Sequence, residues 1–195
     1  MGRPSRKEEL LAAGIEVLHR QGYAGSSVDA IVEHAGMQKG SFFGHFGSKE
    51  AFASAALQGY FKGWTENAQA IAGNTALSAL EKLQGLVKMS TPASADTFHY
   101  GCLIGNLAAE MTLRHDEVRE TIAQLLLEWA APFAQVVREG VASGEFRAGL
   151  APEPTARFII NALQGTVLRG KVDRSQEPYD DFMRLVSGLL LANPT

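Results

Sequence analysis

The chain has 195 residues, 46% of them apolar and 20% charged, with a net charge of −3 and a single cysteine. That is enough chain for one large domain or a small one joined to a larger one, with the composition of an ordinary soluble globular protein. No apolar run nears the roughly 18 residues of a membrane helix, one cysteine excludes an intramolecular disulfide framework and a cysteine-rich zinc site, and no signal peptide precedes the first acidic residues, so the expected location is the cytoplasm.

Helical spacing recurs throughout, and no segment alternates as a strand does. Leu11, Ile15 and Leu18 mark one face of a first helix, with Gly22 as its stop and Tyr23 packing back on it. Ser26-Ser27-Val28-Asp29 offers a hydroxyl N-cap and an early acid to a short second helix, whose apolar face is Val28, Ile31, Val32 and Ala35. Gly36 interrupts, and a third short helix is predicted over 38–46. Gly47-Ser48 resets the chain, and a fourth helix carries Phe52, Ala56, Tyr60 and Trp64. Leu80, Leu83 and Val87 mark a helix that ends at STPASAD (90–96). Leu103, Ile104, Leu107 and Met111 mark the next, and Val118 to Val137 a long one reaching about residue 142. SGEFRAGLAPEP (143–154) reads as a linker. Phe158, Ile159, Leu163 and Val167 begin the penultimate helix, and SQEP (175–178) turns the chain into the last. The expected fold is therefore all-α, with about nine helices.

The charge is unevenly informative. Residues 1–50 hold six Lys/Arg (Arg3, Arg6, Lys7, Arg20, Lys39, Lys49) against six acids. Total charge does not announce a nucleic-acid binder, so the case rests on where the cations sit. A long helix, two short helices around a glycine turn and another long helix make a helix-turn-helix unit braced on both sides.

The stretch GYAGSSVDAIVEHAGMQKGSFFGHFGSKEAF (22–52) resembles the TetR family of bacterial transcription regulators. The likeness runs over 8–52 and is dense and ordered. It implies an N-terminal DNA-binding domain at 1–50 and a ligand-binding and dimerisation domain at 51–195. Gln38 and Lys39, at the start of the recognition helix, are placed to probe base edges. Gly40 allows close approach to the groove, and Phe42 and Phe46 hold the helix from below. Ser27, Ser41, His45 and Lys49 can reach phosphates. Arg3, Arg6 and Lys7 form a basic arm ahead of the first helix. Two positions depart from the family pattern: Phe43 stands where the family often has Tyr, and Gly44 replaces a larger polar residue. Both belong to the candidate DNA surface.

Further along the match is architectural. The last two helices carry broad apolar faces with small residues, suited to a four-helix interface with a second copy. The candidates are Phe158, Ala162, Leu163, Gly165, Thr166, Phe182, Leu185, Val186 and Leu189. A dimer is also expected because one helix-turn-helix reads only a half-site. Phe61, Trp64, Trp129 and Phe133 either pack the core or line an effector cavity. Asn106 and Gln164 are pocket hydrogen-bonders or surface residues. HYGCLIGNLAAEM (99–111) resembles the electrophile- or oxidant-sensing, NemR-like branch of the family, with His99 three residues before Cys102 and able to favour its thiolate if the segment is helical. His115, Asp116 and Glu117 read as a charged inter-helix corner rather than a metal site.

The expected function is a ligand-responsive DNA-binding regulator, a repressor released from operator DNA by a small-molecule effector. The expected partners are double-stranded DNA, the effector and a second copy, with no membrane, cofactor or metal. No nucleophile elbow, phosphate loop, HExxH or spaced carboxylate pair suggests an enzyme. An all-helical protein–protein adaptor is the competing possibility.

Overall fold

The computed structural model describes residues 4–91 and 99–192. Among these, nine helices follow in chain order: α1 (Arg6–Gly25), α2 (Val28–His34), α3 (Lys39–Phe46), α4 (Lys49–Ala72), α5 (Ala79–Ser90), α6 (Leu103–Met111), α7 (Asp116–Ser143), α8 (Pro152–Asp173) and α9 (Glu177–Leu190). The all-α expectation holds. An isolated antiparallel bridge joins Phe146 to Leu191.

The chain divides into two compact units, Met1–Gly63 with Cys102–Leu125 and Trp64–Gly101 with Leu126–Thr195. Packing therefore does not follow chain order: the 1–50 segment shares its unit with 51–63 and with a segment about fifty residues further on.

Local chemistry explains the helix starts in the first unit. Ser5 and Glu8 form a reciprocal capping box, so α1 begins at Arg6. Arg6 and Lys7 are consequently first-turn helix residues and not a free arm; Arg3 lies outside the described residues. Lys7 stands over the Phe46 ring at 5.7 Å. Ser27 caps α2 through Ala30 N–H, and Ser48 accepts from Ala51 N–H at the start of α4. Gly36 and Gly47 have φ of 63° and 74°, backbone that a side chain disfavours, and they separate α2, α3 and α4.

The core of the first unit is built from Leu10, Leu18, Ile31, Phe42, Phe52 and Leu57, all fully buried. Leu11 and Ile15, expected on the core face of α1, are half-buried and pack over Gly59 of α4. The deeper position on α1 is Gly14. A Cβ there would lie 2.1 Å from the Phe52 ring, so its absence is what admits that ring.

In the second unit, Leu83, Leu86, Phe133, Val136, Val137 and Leu163 are fully buried in the core. The predicted linker at 143–154 is mostly structural. Phe146 is buried and packs on Gly140, the Glu145 carboxylate accepts the Ala79 and Leu80 N–H groups at the start of α5, and Arg147 donates to Gly188 and Leu191 carbonyls at the end of α9. Linker composition hid the Glu145 and Arg147 contacts because their partners lie 41 to 66 residues away. Of the expected break at 90–96, Ser90 ends α5 and Thr91 caps it, and 92–96 lie outside the described residues.

Candidate nucleic-acid interface and effector residues

α3 rests on a phenylalanine cluster. Phe42 is fully buried; its ring centroid lies 5.6 Å from that of Phe46 and 5.0 Å from that of Phe52, and Phe46 meets Phe52 at 4.9 Å. Burying an aromatic ring contributes on the order of 2 kcal/mol, so the inward edge of α3 is anchored. The outward surface is Gln38, Lys39, Gly40, Phe43, Gly44 and His45, all exposed, with Ser41 half-buried beside them. Gln38 is the N-cap residue, but its side chain makes no cap hydrogen bond. Nothing lies within 4 Å of a Cβ built on Gly40 or Gly44. Those two glycines thus leave a smooth strip of backbone, and Phe43, 46% exposed, borders it.

Two of the expected contact residues are already engaged. The Lys39 ammonium sits 3.0 Å from an Asp29 carboxylate oxygen, with both side chains exposed. Such a pair is worth little in water and is readily exchanged. Lys49 differs. Its ammonium donates to the Tyr23 and Ser26 carbonyls, at 2.6 Å each, and lies 4.0 Å from the Tyr23 ring centroid. Burial there lowers its pKa below the ordinary lysine value. The Lys49 ammonium, expected among the phosphate contacts, ties the α1–α2 turn here. Ser27 is exposed and keeps its hydroxyl hydrogen to donate while its oxygen caps α2.

Around Tyr23 is a polar cluster that sequence reasoning missed. The Tyr23 hydroxyl donates to Glu50 at 3.0 Å, which, after burial, helps push the phenol up to about 12. The Glu50 backbone N–H and then that hydroxyl hold the Glu50 carboxyl below the usual carboxylate range. His115 sets its ring edge-on to Tyr23 at 5.5 Å, with Nδ1 3.9 Å from Glu50. Tyr23 thus turns toward α4 and the α6–α7 corner instead of back along α1. The only sequence signal was the charged corner itself at 115–117.

Arg6 lies on the rim of a concavity of about 500 Å³, shared with Pro4, Glu9, Ala35, Gly36 and Met37 beside the α2–α3 turn.

The expected effector residues fall in both units. Phe61, Cys102 and Asn106 belong to the first; Trp64, His99, Trp129, Phe133 and Gln164 belong to the second. Trp64, Trp129 and Phe133 come together. Trp64 stacks on Phe133 at 12° and meets Trp129 edge-on at 5.8 Å, and both indole N–H groups donate to the Ser90 hydroxyl. Phe61 is buried, and Asn106 and Gln164 are half-buried. Cys102 is half-buried and is the extended N-cap residue of α6, following Gly101 at φ 68°. Residues 99–102 are not helical, which removes the i−3 geometry through which His99 was to act on the thiol.

The dimerisation candidates separate by burial. Leu163, Phe182 and Val186 are buried in their own chain, and Ala162 and Thr166 are half-buried. Phe158, Leu185 and Leu189 are exposed, as is Gly165, and Leu168 and Val172 of α8 join them unannounced. Periodicity identified apolar helices, but a helix with apolar residues on two sides does not say which side its own core takes.

Known proteins carry the same arrangement. The family described as bacterial regulatory proteins, tetR family, matches residues 10–56, and the one described as tetracyclin repressor-like, C-terminal domain, matches 79–186. The chain is 34% identical over 192 residues to the HTH-type transcriptional repressor DhaR of Mycobacterium sp. (strain GP1), covering 98% of this chain and 95% of that protein. It is similar to the crystal structure of a TetR regulatory protein from Rhodobacter sphaeroides, with a TM-score of 0.84, 30% identity, and coverage of 94% of this chain and 98% of that one. The reduced form of Escherichia coli NemR shares the fold, with a TM-score of 0.85 at 21% identity over 97% of this chain and 99% of that one.

Proposed function

The chain belongs to the TetR family of transcriptional regulators, and from that premise we propose that it is a homodimeric repressor that holds operator DNA through α3 and releases it when a small-molecule effector binds. The observation that carries the DNA contact is the two-sided character of α3. Its inner edge is locked by Phe42, while its outer surface offers Gln38, Lys39, Ser41 and His45 around a glycine strip that lets backbone approach a groove floor. Lys39 exchanges Asp29 for phosphate or a base edge, and Ser27 donates to a phosphate at the start of α2.

Dimerisation is supported by the exposed apolar surface of α8 and α9. Phe158, Leu168, Val172, Leu185 and Leu189 are each more than half exposed, a density that marks a protein-binding face. Two copies present two α3 helices to half-sites about one helical turn, or a multiple of it, apart. The effector contacts are drawn from the second unit, where Trp64, Trp129 and Phe133 come together, with Gln164 and His99 as further candidates in that unit. An effector that binds one conformer better shifts the population to the form that fits the operator less well. The relatives act on transcription, and no observation favours the adaptor alternative.

The test is a mobility-shift titration with the DNA upstream of the protein's own gene, repeated across salt concentrations. Binding should weaken steeply, with log affinity linear in log salt and a slope set by the phosphates neutralised. Absence of any shift at low salt rejects the function.

A further inference from the structure

The α1–α2 turn is held from outside the helix-turn-helix. α1 is broken at Gly22, whose φ of 71° and ψ of 179° are not helical. Just beyond the break, Ala24 N–H donates to Oε2 of Glu110 at 2.8 Å, across 86 residues of sequence. The other oxygen, Oε1, lies against Gly22: a Cβ there would come within 2.4 Å of it. One carboxylate therefore occupies the space left by a missing side chain and takes the backbone donor next to it. Glu110 stands near the end of α6, in the same compact unit as the helix-turn-helix.

The rest of the turn is fixed in turn by α4. Lys49 takes the Tyr23 and Ser26 carbonyls, and Ser26 Oγ donates back to the Tyr23 carbonyl. Ser27 then caps α2, which leads through Gly36 to α3. The backbone from Gly22 to Ser27 is thus set by a carboxylate on one side and an ammonium on the other. The Lys49 bonds are part-buried and the Glu110 bond is exposed, so the carboxylate contributes by its geometry, taking one backbone donor beside the Gly22 break. A recognition helix must be held to within a fraction of an ångström to keep its base-edge contacts.

We propose that Glu110 is a positioning residue for DNA binding, acting through Ala24 N–H to set the turn on which α2 and α3 are mounted. It touches no DNA itself. The proposal rests on α3 being the DNA contact.

Selection of duplexes from a random library by the full-length wild-type protein supplies the probe. Affinity for the enriched duplex is then measured for Glu110→Ala and Glu110→Gln well below their unfolding temperatures, with exchange of the Ala24 amide followed in the same samples. Glu110→Gln keeps an oxygen acceptor at the same reach. The expected result is about a tenfold loss of affinity and faster Ala24 exchange in Glu110→Ala, with Glu110→Gln within about twofold of wild type. A Glu110→Ala protein that melts lower yet binds as wild type overturns the proposal, because its role is then only structural. Equal losses in both variants also overturn it. If Glu110→Ala does not fold, Glu110→Asp, one methylene too short to reach Ala24, takes its place with the same expected loss. Failure of the wild type to enrich any duplex would instead reject DNA binding itself, and the proposal with it.

Discussion

The outer surface of α3 and the outer surface of α8–α9 are both left uncovered by the chain, in opposite chemical senses. α3 shows Gln38, Lys39, His45 and bare glycine backbone around one exposed ring, Phe43. α8 and α9 show Phe158, Leu168, Val172, Leu185 and Leu189. Leaving that many large apolar side chains in water is costly, at roughly 25 cal/mol per Å², and a second apolar surface relieves the cost. On the α3 surface that cost is confined to Phe43, and the rest is polar side chain and backbone. On the proposed function, the apolar face takes a second copy of the chain and the polar one takes nucleic acid.

That contrast breaks most forcefully from beneath. Phe42→Ala removes the anchor of α3 and should lower the stability of the first unit by about 3–5 kcal/mol, read as an earlier transition in urea or thermal unfolding. Next, Leu185→Arg places a charge in the apolar face. A monomer in light scattering is expected, with DNA affinity reduced on the order of 100-fold, since paired half-site binding is lost. A Leu185→Arg protein that remains dimeric would remove α9 from the interface.

Smaller changes sharpen the polar side. Lys39→Ala should weaken DNA binding about tenfold; if the contact is to phosphate, the salt slope falls by about one as well, and if it is to a base, discrimination at one operator position relaxes. Asp29→Asn frees Lys39 and removes a negative charge from the surface, so affinity for random duplex should rise about threefold. An unchanged or weaker affinity for random duplex in Asp29→Asn would mean that the carboxylate does not hold Lys39 back from DNA.

Much of the α3 surface was legible because its determinants are local. Gly36 and Gly47 mark the turns, Ser27 and Ser48 the caps, and Phe42 the buried edge with Phe46 half-buried beside it, each within a few residues of what it controls. The α8–α9 face was legible only in part. Phe158, Leu185 and Leu189 lie outward, Leu163, Phe182 and Val186 turn inward, and Leu168 and Val172 were not singled out by spacing. The basic arm was misplaced for a local reason that was also present in the sequence: Ser5 and Glu8 spell a capping box that starts the helix at Arg6.

The sequence by itself determined the all-α class, the order of the first four helices and the family, because helix periodicity, caps and glycine stops act over one or two turns of chain. Only the tertiary structure decided which side of α8 and α9 is left open, that Lys49 serves the α1–α2 turn, and that Glu110 meets Ala24. Each of these depends on a partner many residues distant or on which of two apolar faces the core takes, and neither is written in local spacing.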